Sequence, residues 1–175
     1  VIERLADSAF PGRRQFEEFV GLCNEIADIA CPVFPDASTF LRLHGDLHRA
    51  NILSRPDEGL ILIDFDDMLN GPPVQDLWLL LPDVPSHCPE EAEALARGYN
   101  MFMEFSESGY AVTECLRMLR MLYFLSWVAM QRNDPQFSAT FPGWGGEAFW
   151  RSEFADLRRQ IPSMKEEIRF WKRNI

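Results

Sequence analysis

The stretch LRLHGDLHRANIL, residues 41–53, gathers His44, Asp46, His48 and Asn51 between apolar flanks. Polar side chains packed that densely beside core-forming residues are costly to order, which makes them candidates for a site. A further carboxylate, Asp64, ends the apolar run LILID at 60–64. Asp46 and Asn51 bracket a five-residue step between two short extended segments. If residues 51–53 and 60–64 form a hairpin, its ends meet, and Asp64 returns to the neighbourhood of Asn51. Three oxygen-bearing side chains then converge. Hard cations such as Mg²⁺ are held by one or two such groups together with phosphate oxygens and water. The remaining carboxylate can take the proton of an attacking hydroxyl.

The elements that must position these residues follow from pattern. Between the runs 51–53 and 60–64 lies RPDEG, whose Pro56, Asp57 and Gly59 supply turn chemistry, so a hairpin is predicted. TFLRL (39–43) is a short strand candidate. Upstream, residues 13–30 read as a helix, with Phe16, Phe19, Val20, Cys23, Ile26 and Ala27 at spacings of three and four. NGPP (70–73) is a break, and beyond it helices are predicted over 74–81, 90–105, 113–132 and 146–172, the last split at Pro162. The segment 133–146 is a long aromatic loop; its cluster Gly143-Trp144-Gly145-Gly146 follows no strand and reads as loop too. Residues 116–130 are too short to span a bilayer and are interrupted by Arg117 and Arg120, so they read as a core helix. Strands are confined to about thirty residues between helices, which argues against a doubly wound sheet. The expected class is α+β, mainly helical, with a small β-hairpin carrying the polar cluster.

Composition bounds the rest. A chain of 175 residues, 47% apolar and 13% aromatic, can bury a sizeable core, and its length fits one domain or a domain plus a fragment. The net charge of −10 argues against a nucleic-acid partner. A nucleotide site stays open, because a bound metal inverts local charge. Cys23, Cys31, Cys88 and Cys115 form no CxxC pair and no zinc spacing, so reduced thiols and a cytoplasmic protein are expected. The opening VIERLADSAF has no basic segment with an apolar core behind it, so no signal peptide is expected, and the absence of an initiator Met suggests a start inside a longer chain.

HGDLHRAN keeps the Asp-x-x-x-x-Asn spacing of the protein-kinase catalytic loop, and LIDFDD stands where those enzymes have Asp-Phe-Gly. With Gly in place of the loop arginine, LHGDLHRANIL…LILIDFDD resembles the aminoglycoside phosphotransferase and choline kinase-like superfamily. IDFDDMLNGPPVQDLWLLL, together with residues 116–144, is similar to its stress response kinase A family. The likeness spans about residues 13–155. It implies an ATP-dependent kinase of the bacterial Ser/Thr type, acting on protein hydroxyls with Mg²⁺. By position, Asp46 is then the catalytic base, and Asn51 and Asp64 are the Mg²⁺ ligands that meet the ATP phosphates. His44 packs the catalytic loop against the metal-binding segment, and Asp76 steadies that loop by accepting its backbone hydrogen bonds. His48 either approaches phosphate or substrate or merely fills the loop. Asp66 and Asp67 add charge near the metal, or Asp67 is a helix cap or a solvated acid.

Plainer readings stand beside these. Asp46 and Asn51 can be turn residues capping their own backbone, His44 a scaffold histidine, and Asp76 the N-cap of LWLLL. Two alternative functions also stand: a kinase of a small alcohol such as homoserine, choline or an aminoglycoside, and a non-catalytic kinase-like binding module. Nothing before Leu41 offers a Gly-rich phosphate loop, and the first lysine is Lys165. The chain therefore reads as the C-terminal lobe of a two-lobed kinase, lacking the N-terminal ATP-binding lobe and inactive alone. Leu77 follows Asp64 by only thirteen positions, with no Ala-Pro-Glu between, so no long activation loop is expected. Helices after residue 89 would supply the substrate platform, and Glu90, Glu91, Glu93 and Glu104 read as a solvated face.

Overall fold

The computed structural model describes residues 1–6 and 9–173. Along the chain come α1 (Ile2–Ala6), α2 (Arg13–Ala30), β1 (Leu41–Leu43), β2 (Ile52–Arg55), β3 (Gly59–Leu62) and β4 (Leu69–Gly71). They are followed by α3 (Val74–Leu77), α4 (Pro89–Tyr99), α5 (Thr113–Met130), α6 (Phe137–Thr140) and α7 (Glu147–Arg173). The fold is mainly helical with small antiparallel sheets, as expected. There are two such sheets rather than one. The expected hairpin pairs β2 with β3, Ile52 facing Leu62 and Arg55 facing Gly59. A second ladder pairs β1 with β4, Leu41 facing Gly71 and Leu43 facing Leu69. β4 lies across the predicted break, because Asn70 and Gly71 extend before Pro72 ends the pairing.

The chain divides into two compact units. One comprises Val1–Pro32 and Cys115–Lys165. Its core holds Phe19, Leu22, Ile26, Leu125, Trp150 and Leu157, all 6% exposed or less. Phe10 stacks on Trp150 with ring centroids 4.1 Å apart, and the Trp150 indole donates to the Ala9 carbonyl. The buried face of α2 is Phe19, Leu22, Ile26 and Ala30, turned from the expected stripe so that Ala27 lies in solvent. Only one face of α5 is core. Met118, Leu122, Leu125 and Val128 are buried, while Tyr123, Phe124, Trp127 and Met130 are exposed. The aromatic loop contains the single-turn helix α6, and Gly143 and Gly145 take the left-handed backbone that turns it. Pro162 does not split α7.

The other unit comprises Val33–Glu114 and Glu166–Ile175. Leu43, Val74, Leu77, Trp78, Tyr110 and Trp171 are buried in it. Tyr110 donates its hydroxyl to the Ala92 carbonyl of α4 at 2.8 Å. α4 stops at Tyr99 rather than 105, because the Asn100 side chain turns the chain by bonding both backbone groups of Phe105. α3 gives way after Leu77 to a 3₁₀ turn over Trp78–Leu80. Among the described residues no helix is long and apolar enough to cross a membrane.

Candidate active site

β1 leads out of its ladder at Leu43 and delivers His44, Gly45 and Asp46 at its end. The loop that follows is held from three directions. From α3, the Asp76 carboxylate accepts the backbone N–H of His44 at 2.8 Å and of Gly45 at 2.9 Å. Asp76 therefore lies inside α3, whose N-cap is Pro73, and does not cap a helix. One residue before it, the Gln75 amide donates to the Gly45 carbonyl at 3.1 Å. From the hairpin side, the buried His44 ring donates through Nε2 to the Ile63 carbonyl at 2.8 Å and lies 4.7 Å from the Phe65 ring. A carbonyl only accepts, so Nε2 carries the proton of this bond. From within the loop, the Asn51 side chain donates to the Asp46 carbonyl at 2.9 Å.

Asn51 is buried, and its place relative to Asp64 follows from the hairpin register. Ile52 faces Leu62, and the Ile63 N–H donates to the Asn51 carbonyl at 3.1 Å, so Asp64 comes one step beyond Asn51 across the ladder. Asp64 has φ 65°, making it the only described non-glycine residue in the left-handed region. Such a conformation costs on the order of 1 kcal/mol or more and is retained where surrounding structure or function demands it. The reversal it makes carries the chain from β3 into the Phe65–Met68 turn and on to β4.

The other expected residues fall nearby or outside. His48 brings Nε2 to 3.5 Å from the Asp46 carboxylate, so it faces that acid. Asp66 and Asp67 are exposed in a turn, and the next helix starts only at Val74, so Asp67 caps none. Glu90, Glu91 and Glu93 lie on the exposed face of α4, where Glu93 pairs with Arg97. Cys23 is no nucleophile near neutral pH, since burial pushes its thiol up to about 11.

Sequence reasoning missed Gly45 and the backbone groups around it. Gly45 has φ 89°, and a Cβ there would lie 2.1 Å from the Asp67 carbonyl oxygen. No side chain fits, so the loop and the segment after Asp64 approach to backbone contact. The signal was in plain view, as a Gly between a His and an Asp at a strand end. Arg49 was missed too; its guanidinium donates to the Leu80 carbonyl at 3.0 Å, tying the loop to the turn after α3.

Chemically, the loop offers one half-buried carboxylate, Asp46, whose backbone carbonyl is held by the Asn51 amide, and Asp64 follows the Ile63 carbonyl that His44 holds. The Asn51–Asp46 bond uses an amide N–H of Asn51, not its amide oxygen. Among the described residues no group of three or more His, Cys, Asp or Glu side chains is arranged to hold a metal. A pair such as Asn51 and Asp64 suits a hard cation shared with phosphate oxygens and water, not one caged by protein.

The chain is 38% identical over 128 residues to Stress response kinase A of Escherichia coli (strain K12), covering 73% of this chain and 38% of that protein. It is 36% identical over 126 residues to Serine/threonine protein kinase RdoA of Salmonella typhimurium, with 72% and 38% covered. It thus spans well under half the length of these curated relatives. In fold it is similar to the microcompartment-associated aminopropanol kinase, with TM-score 0.56 and 19% identity over 90% of this chain and 49% of that one. That likeness shows a kinase-like fold. Residues 13–113, more than half of the chain, match the phosphotransferase enzyme family, and to that family the chain belongs.

Proposed function

We propose that this chain is the C-terminal lobe of an ATP-dependent kinase that moves the γ-phosphoryl group to a hydroxyl, on Ser or Thr of a protein. Asp46 accepts the proton of the attacking hydroxyl as its oxygen bonds the γ-phosphorus and the bond from that phosphorus to the departing ADP oxygen breaks. Asn51 and Asp64 would hold Mg²⁺, which when bound would neutralise the charge of the phosphate oxygens. Asp76, Gln75 and His44 keep Asp46 in register with the hairpin end, since a misplaced base loses most of its effect. His48, beside Asp46, orients that carboxylate.

The supporting observation is the pair of bonds from the His44 and Gly45 N–H groups to Asp76, joined to the His44–Ile63 bond. Together they tie the Asp46 loop to the residue before Asp64, in a family of phosphotransferases. We also infer that an N-terminal lobe completes ATP binding in the cytoplasm of the cell. This chain spans 38% of its curated relatives and has no lysine before Lys165.

The test joins the chain to its upstream sequence and assays phosphate transfer from Mg-ATP to generic protein substrates and to a panel of small alcohols. The joined protein is expected to phosphorylate protein, the 175-residue chain alone to turn over negligibly, and Asp46→Ala to lower the rate at least 10³-fold, the order of a lost general base with its positioning. Transfer only to a small alcohol overturns the protein-kinase assignment. Robust turnover by the chain alone overturns the two-lobe reading. Mg-ATP binding without transfer to either class, and no change with Asp46→Ala, would leave a binding module.

A further inference from the structure

Within the unit formed by residues 1–32 and 115–165, a cavity of about 310 Å³ opens between the first two turns of α2 and the N-terminal half of α7. Its lining is cationic in a chain of net charge −10: Arg14 from α2, and Arg151 and Arg158 from α7. Two carboxylates share the lining, and they are not equivalent. Glu18 is occupied by an ion pair with Arg158, whose guanidinium also lies 5.9 Å from the Phe154 ring centroid. Glu147 forms no ion pair among the described residues, and neither do Arg14 and Arg151. Arg14 and Arg151 thus line the same opening from exposed positions, outside any ion pair among the described residues. The first turn of α2 adds to this, since Gly12 gives it no side-chain cap and the turn carries no acid. Behind the arginines the floor is apolar, made by Trp150 and Phe154.

Planar guanidinium forks that line one opening match the oxygens of a phosphate dianion. The volume is at the lower end of small-ligand pockets. We propose that this cavity binds a small phosphate-bearing anion, with Arg14 and Arg151 as its principal ligands and Glu147 setting a ceiling on its affinity. It is separate in chain and in compact unit from the loop of Asp46, and the proposal does not rest on the phosphotransferase reading.

The experiment titrates inorganic phosphate, and in a parallel arm ribose 5-phosphate, into the protein at constant ionic strength, following heat and the ³¹P line width. Saturable binding is expected. Arg14→Ala and Arg151→Ala are each expected to weaken it about tenfold, as loss of one charge-assisted contact does. Glu147→Gln is expected to strengthen it a few-fold, a sign that loss of structure would not produce. The exposed Lys172→Ala should leave it unchanged. Tighter binding of ribose 5-phosphate assigns the floor to the organic body, and equal binding restricts the ligand to phosphate itself. Absence of saturation, or equal binding in wild type, Arg14→Ala and Arg151→Ala, overturns the site.

Discussion

Asp76 illustrates how a single side chain fixes the candidate site. Two consecutive N–H groups, of His44 and Gly45, end on its two oxygens. A hydrogen bond to a charged acceptor contributes about 1.5–3 kcal/mol, and a donor left unpaired away from water costs a similar amount. Asp76→Asn keeps the volume but turns an NH₂ group toward one of the two donors. It is expected to lower the unfolding free energy by about 2 kcal/mol, read from urea denaturation followed by tryptophan fluorescence. An unchanged midpoint would mean the loop is held by Gln75 and His44 alone. At this scale much of the site was legible. Asp46 and Asn51 are five positions apart, and Asp64 is placed by a hairpin whose turn residues announce it. The clamp on His44 and Gly45 was expected of Asp76 only through family resemblance. The Ile63 carbonyl that accepts from His44 was not legible at all, because backbone acceptors have no letter of their own.

Among the elements, α7 departs most from its sequence pattern. Proline inside a helix removes one N–H bond and crowds the carbonyl four residues back, a cost of about 3 kcal/mol, so a split at Pro162 was expected. The helix instead runs unbroken from Glu147 to Arg173. Trp150, Phe154, Leu157, Ile161 and Met164 bury one continuous stripe across the proline position, and that burial offsets the local cost. Pro162 itself is exposed. Pro162→Ala then restores the bond to the Arg158 carbonyl without touching the core. It is expected to stabilise by about 1–3 kcal/mol, a rise in thermal midpoint of roughly 2–4 °C for each of those kcal/mol in a chain of this size. A lowered midpoint would show that the proline is matched to a bend the packing needs. The same principle explains the other misses. The facing of α2 and the half-exposed α5 are set by which neighbours exist, and the β1–β4 ladder joins segments too far apart in sequence for any local pattern to announce it.

For the molecule as a whole, the excess of acids makes stability a function of pH, and one buried acid sets a sign that opposes the usual one. Glu167 is 1% exposed, accepts from the Ser86 hydroxyl, and accepts the Trp171 indole N–H at 2.8 Å. Burial pushes its carboxyl above the ordinary range, the two hydrogen bonds pull it partly back, and the nearby Glu114 pushes it up again. A carboxyl raised on folding binds its proton more tightly in the native state than in the unfolded chain. Between the ordinary carboxyl value and the raised one, the unfolded chain therefore binds fewer protons, and stability falls as pH rises. The contribution is complete below the ordinary value and gone above the raised one. Self-repulsion of a chain with net charge −10 falls on acidification and acts in the same direction. Glu167→Gln removes the titration while losing an acceptor at every pH. The difference in unfolding free energy between wild type and Glu167→Gln, measured by urea denaturation from pH 4.5 to 8, is thus expected to favour wild type most at the acid end and to shrink to a constant at the alkaline end. Parallel curves would mean that Glu167 titrates alike in the folded and unfolded chains.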